Sequence, residues 1–134
     1  MFDPPKKSHA RVASFLTLAL LALSIPLSLM GSAQAAVIPS EVTIKFKEGP
    51  TLFKGKVTSD LPECREGRLV TVFKVRKGPD KTVGSDLTNA RGKWKVDVNH
   101  ANGRYYAKVK RSQLGGYYGG GDTCAKARSD TIEV

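Results

Sequence analysis

From residue 42 onward the chain alternates apolar and polar side chains with a period of two. Val42-Thr43-Ile44-Lys45-Phe46-Lys47 does so without a fault. Phe53-Lys54-Gly55-Lys56-Val57-Thr58 and Lys93-Trp94-Lys95-Val96-Asp97-Val98 repeat the pattern, with Gly55 as a small inward residue. Alternation sends successive side chains to opposite faces, so each segment predicts a half-buried β-strand. Tyr105 to Lys110 adds another. Arg68 to Val75 is nearly continuous in apolar and β-branched residues, as in a central strand covered on both faces. Lys81 to Thr88 is more polar and predicts an edge strand, and Thr123 to Val134 closes the chain. Between them lie Glu48-Gly49-Pro50, Gly78-Pro79-Asp80, Asn89-Ala90-Arg91-Gly92 and Asn99 to Gly103, all turn formers. The expectation is an all-β fold, a seven-stranded antiparallel β-sandwich.

Parity assigns a core of Val42, Ile44, Phe46, Phe53, Val57, Trp94, Val96, Val98, Tyr105, Ala107 and Val109. In Arg68–Val75 both faces are apolar, and the inward pair is either Val70 with Val72 or Leu69 with Phe73. The last strand carries a conflict: Ala125 and Ala127 share one parity, Ile132 and Val134 the other. A one-residue slip reverses the faces of a strand, so a bulge or kink is expected around Ser129-Asp130.

The start of the chain follows a different pattern. Lys6, Lys7 and Arg11 precede an almost wholly apolar run, Val12 to Met30, and Ala33-Gln34-Ala35 places small residues where a signal peptidase cuts. Residues 1–35 therefore read as a secretory signal peptide and 36–134 as a single domain at the cell exterior or in the envelope. The apolar run is also about 20 residues long, enough to span a bilayer as an uncleaved anchor. Pro26 and the small residues that follow favour cleavage, after which no membrane span is expected. The whole chain has 134 residues and a net charge of +10, which leaves no room for a multidomain enzyme.

Export changes how Cys64 and Cys124, the two cysteines, are read. An oxidising compartment makes one structural disulfide between them the default, contributing about 4 kcal/mol for a loop of that length. The spacing is not that of a CxxC redox pair, and His100 is the one histidine within 36–134, so a metal site is not indicated.

The order of four segments carries a resemblance. Gly55-Lys56-Val57, Val70-Thr71-Val72, Thr88 to Trp94 with Gly92 before the aromatic, and Gly103-Arg104-Tyr105 with Val109 follow one another as in the prealbumin-like domains. These include the carboxypeptidase-regulatory-like and Cna-B-like repeats. The chain is also similar to small secreted bacterial proteins of unassigned function with the same two-cysteine layout. The resemblance covers most of residues 51–110 and implies a prealbumin- or immunoglobulin-like sandwich with a structural or adhesive role, without catalysis. Hydrolases of the transthyretin family carry catalytic histidines, an arginine and a characteristic C-terminal ending. Here His100 is the one histidine within 36–134 and the chain ends Thr131-Ile132-Glu133-Val134, so that activity does not carry over. A transthyretin-like hydrolase or ligand carrier is the third reading, after a structural or interaction module and a cationic binder of anionic polymer. Self-crosslinking adhesin domains need a buried Lys, Asn and acid; Lys45, Asp97 and Asn99 have outward parity.

No nucleophile, base and orienting group can be assembled with one histidine, so no enzyme, cofactor or metal is expected. Asp80, Asp86 and Asn89 cluster around one hairpin and could hold Ca²⁺ weakly, but read better as turn and edge residues. The cations read first as a solvated face that also blocks edge-to-edge pairing of strands, in a module with a structural or interaction role, and second as a loose polyanion-binding surface. Lys45, Lys47, Lys54, Lys56, Lys93, Lys95, Lys108 and Lys110 all take outward parity, as do Lys126 and Arg128. Neighbours two apart on one strand face stand about 7 Å apart, which builds a field attractive to polyanions. The candidate partner is an anionic envelope polymer or another protein. With few aromatics interleaved, sequence-specific nucleic-acid reading is not expected. Tyr117 and Tyr118, within a glycine-rich segment, read first as residues of a hairpin that fold back on the sandwich and second as candidate loop contacts for a sugar ring or a partner surface.

Overall fold

Strands form where the sequence alternates, and they break where it does not. The computed structural model describes residues 34–115 and 121–134. Its strands are β1 (Val37–Ile38), β2 (Glu41–Val42), β3 (Lys45–Lys47), β4 (Leu52–Thr58), β5 (Leu69–Lys74), β6 (Lys81–Leu87), β7 (Lys93–Asp97), β8 (Arg104–Val109), β9 (Ser112–Gln113), β10 (Thr123–Cys124), β11 (Ala127–Arg128) and β12 (Ile132–Glu133). One 3₁₀ turn, Pro62–Cys64, joins β4 to β5. The signal-peptide reading falls on residues 1–35, of which 1–33 lie outside the described residues.

The strands form three sheets. In one, β4 pairs with β2 and β3 along one edge and with β7 along the other. In the second the order is β11-β8-β5-β6, with β12 also on β8. The third is small, β1-β10-β9. The two larger sheets each contribute one face to a single core. Val42, Ile44, Phe53, Val57, Trp94 and Val96 come from the first side, Val70, Val72, Tyr105, Ala107 and Val109 from the second. Phe46 and Val98 are only partly buried, packed against that cluster. This all-β arrangement is compatible with a β-sandwich.

The expected count of seven strands is corrected to twelve short ones among the described residues. Residues 42–47 keep one register along β4 but are interrupted opposite Gly55. There the Thr43 hydroxyl, not a backbone carbonyl, accepts the Lys56 N–H at 3.1 Å. The closing segment 123–134 divides into β10, β11 and β12. Between β11 and β12 the register along β8 slips by one residue, the bulge that the parity conflict requires. Ser129 fills it: its hydroxyl accepts the Ala107 N–H at 2.8 Å and donates to the Asp130 carbonyl. β1 and β9 have no counterpart among the expected strands. β1 also runs parallel to β10, so the fold is not antiparallel throughout. β6 is at a sheet edge, as its polarity implies.

A buried corner ties the layers together. Cys64 and Cys124 are disulfide-bonded, with Cα atoms 5.4 Å apart across a sequence separation of 60. Arg68, 1% exposed, reaches the same place. Its guanidinium donates to the carbonyls of Cys64 (2.7 Å), Lys110 (2.7 Å) and Ala125 (2.8 Å) and to the Ser40 hydroxyl (3.0 Å). Burial pushes its pKa below the ordinary arginine value. Arginine nonetheless stays charged, so those oxygens are what replace its lost hydration.

Candidate polyanion-binding faces

β4 sets its lysines by parity. Phe53 and Val57 are fully buried, so the intervening Lys54 and Lys56 face solvent. Pairing then chooses their neighbours. Lys54 stands opposite Lys45 of β3 on one side and Lys95 of β7 on the other, and Lys56 stands opposite Lys93. Side chains directly opposed have Cβ atoms about 4.5–5.5 Å apart, a placement in which like charges are destabilising. Three lysines in one row therefore work against the fold. Lys47 occupies the next row with Leu52 and Asp97.

Beside these rows lies a groove of about 390 Å³, its lining including Lys47, Leu52, Lys54 and Lys95 with Asp86 and Leu87 from β6. Leu87 is 60% exposed there. The Asp86 carboxylate is engaged, accepting the N–H groups of Lys95 (2.8 Å) and Leu87 (2.9 Å). It thereby ties β6 to the outer edge of β7.

Lys108 and Lys110 belong to the other large sheet, on and just after β8. Parity alone places all the candidate lysines outward but does not allot them to sheets. Lys108 faces Arg128 of β11. Beneath them lies a cluster that the sequence pattern does not announce. Phe73 and Tyr106 stack with ring centroids 5.3 Å apart and planes 16° from parallel. The Arg128 guanidinium sits 3.8 Å over the Tyr106 ring, and Lys108 Nζ lies 5.4 Å and 5.6 Å from the two rings. Adjacent tyrosines on a strand must face opposite ways, so Tyr106 had to be outward. That Arg128 covers it depends on the β8–β11 register. Tyr106, only 3% exposed, also donates its hydroxyl to Asp80 at 2.7 Å, while Asp80 accepts the Arg76 N–H at 3.1 Å.

These contacts move two ionisations. The Tyr106 hydroxyl holds Asp80 below the usual carboxylate range, helped by the Arg76 N–H and then by Arg128 and Lys108, against desolvation. A depressed carboxylate adds stability above its unfolded pKa and loses it as pH falls through the lowered value. Tyr106 is raised, first by its hydrogen bond to Asp80, then by desolvation and the Asp80 charge. Its contribution is present below the unfolded tyrosine pKa and lost as pH rises through the raised one. A spectrophotometric titration should therefore show one tyrosine ionising late. In Asp80→Asn that step should move to lower pH, and an unmoved titration would show that the contact is absent in solution.

The remaining candidates have ordinary duties or lie elsewhere. Asn89 accepts the N–H groups of Arg91 and Lys93, which closes the β6–β7 turn. His100, Lys45, Asp97 and Asn99 are all exposed. Among the described residues no group of three or more His, Cys, Asp or Glu is placed to hold a metal ion. No helix among them is long and apolar enough to cross a membrane. Tyr117 and Tyr118 lie outside the described residues. No family model, no curated protein and no solved structure matches the chain.

Proposed function

We propose that the chain is a secreted, non-enzymatic, prealbumin-like β-sandwich that serves at the cell exterior as an interaction module, with an anionic envelope polymer as its partner. The observation that carries this is the Lys45–Lys54–Lys95 row. Charges that serve solubility alone do best scattered. Three like charges directly opposed cost stability, and a bound polyanion offsets that cost. Lysines are compact point charges, suited to charge density along a polymer more than to the shape of one group. The disulfide is consistent with an extracellular location, and the apolar start followed by small residues supports export. The ordered motifs between Gly55 and Val109 support the prealbumin-like reading.

The test is Lys54→Glu with Lys95→Glu in the exported, oxidised protein. Its affinity for an immobilised polyuronate should fall by about tenfold or more, with a shallower dependence on salt. Thermal stability should hold or rise slightly, because a like-charge row has been broken. Undiminished binding by this variant would sink the reading.

A further inference from the structure

The second cationic face differs from the first in kind. A groove of about 390 Å³ runs along β8 and β11, and its lining holds Lys108, Lys110, Arg111, Lys126 and Arg128 with no carboxylate among them. Lys108 and Arg128 are directly opposed across the strands. The Arg128 guanidinium sits 3.8 Å over the Tyr106 ring, and Tyr106 is anchored by Asp80. A guanidinium fixed in this way loses little freedom when it forks onto a carboxylate or an ester anion. Since each large sheet turns its other face to the shared core, this groove and the β4 lysine rows look out on opposite sides of the domain. Two packed sheets stand about 10 Å apart, and the charges lie outside both. That separation exceeds the screening length of about 8 Å at physiological salt, so a polymer bound on one face leaves the other attractive.

We propose that the protein is a two-sided bridge that joins separate anionic polymer chains, one on the β4 lysine rows and one in the β8–β11 groove. This rests on the polyanion reading above and adds to it a second site and a cross-linking activity. Binding two chains at once turns a modest affinity per face into a durable junction, provided both faces are engaged together.

The experiment titrates the exported, oxidised protein into a long-chain polyuronate and follows light scattering, with retention on immobilised polyuronate measured in parallel. Scattering should rise to a maximum at an intermediate ratio and fall when either component is in excess. Lys126→Gln with Arg128→Gln should remain bound to the immobilised polymer through the β4 face yet lose about tenfold in scattering. Lys110→Gln with Arg111→Gln, which leaves the Tyr106 stack intact, should behave the same way. Arg76→Gln with Lys77→Gln removes equal charge from the exposed β5–β6 loop and should scatter like the native protein. If that control loses scattering equally, the effect is bulk neutralisation and the bridge is overturned. Groove variants that scatter like the native protein overturn it too. A native protein that is retained but never scatters removes the bridge and leaves the one-face reading standing. A native protein that is not retained removes the reading beneath it.

Discussion

Gly55→Val is expected to abolish the cooperative unfolding transition, and Gly55→Ala to come close to doing so. Any Cβ at this position would fall on the Thr43 carbonyl oxygen, with Trp94 Cζ2 at 2.7 Å on another side. Backbone cannot yield as the end of a flexible side chain can. The Trp94 ring is itself buried, as part of the same core cluster as Val57 and Phe53. Overpacking usually costs about 1–3 kcal/mol when neighbours can shift, and here both are fixed, so about 4 kcal/mol or more is expected. Typical domains have about 5–15 kcal/mol in total. Gly49→Ala is the control: nothing lies within 4 Å of a Cβ there, and its effect should stay within about 0.5 kcal/mol. Chemical denaturation checks both. A Gly55→Val protein with a native-like midpoint would mean that β2, β3 and β7 do not close around Gly55 in solution.

Gly55 also marks what could be read from the sequence. Its parity shows a small inward residue in a strand, and the structure agrees. The reason it must be small, the approach of Thr43 and Trp94, comes from two neighbouring strands, and no single segment contains it. The same divide recurs elsewhere. The parity conflict in 123–134 announces the bulge at Ser129 because both conflicting halves lie in one continuous segment. Period two places Lys45, Lys54 and Lys95 outward, but their meeting in one row requires the pairing of β3, β4 and β7. In Arg68–Val75 both faces are apolar, and only packing decides. Val70 and Val72 go to the core while Phe73 joins Tyr106 outside, because Tyr106 supplies a second apolar surface there. β1 and β9 are two residues each, too short for any periodicity to register.

Arg68 is the residue whose role was least visible, and its replacement should have the other large effect. It opens an apolar strand, where an arginine reads as a polar end. In the structure it is the polar centre of the corner that the disulfide staples, bonded to the carbonyl of Cys64 itself and to that of Ala125, next to Cys124. Arg68→Met keeps most of the volume but leaves the carbonyls of Cys64, Lys110 and Ala125 without this donor. Each buried acceptor left without its donor costs about 1–3 kcal/mol, so losing this donor to three carbonyls should cost about 3 kcal/mol or more. Removing the disulfide by Cys64→Ser with Cys124→Ser should cost about 2–5 kcal/mol. The two losses should not add. With the disulfide gone, Cys64 and Ala125 can move apart and find water, so the second change removes contacts already weakened. A double-mutant cycle in denaturant should show a combined loss smaller than the sum of the two, by about 0.5–3 kcal/mol. Strict additivity would mean that the arginine and the disulfide hold the corner independently. A native-like midpoint for Arg68→Met alone would mean that its carbonyl partners are already hydrated in the native protein.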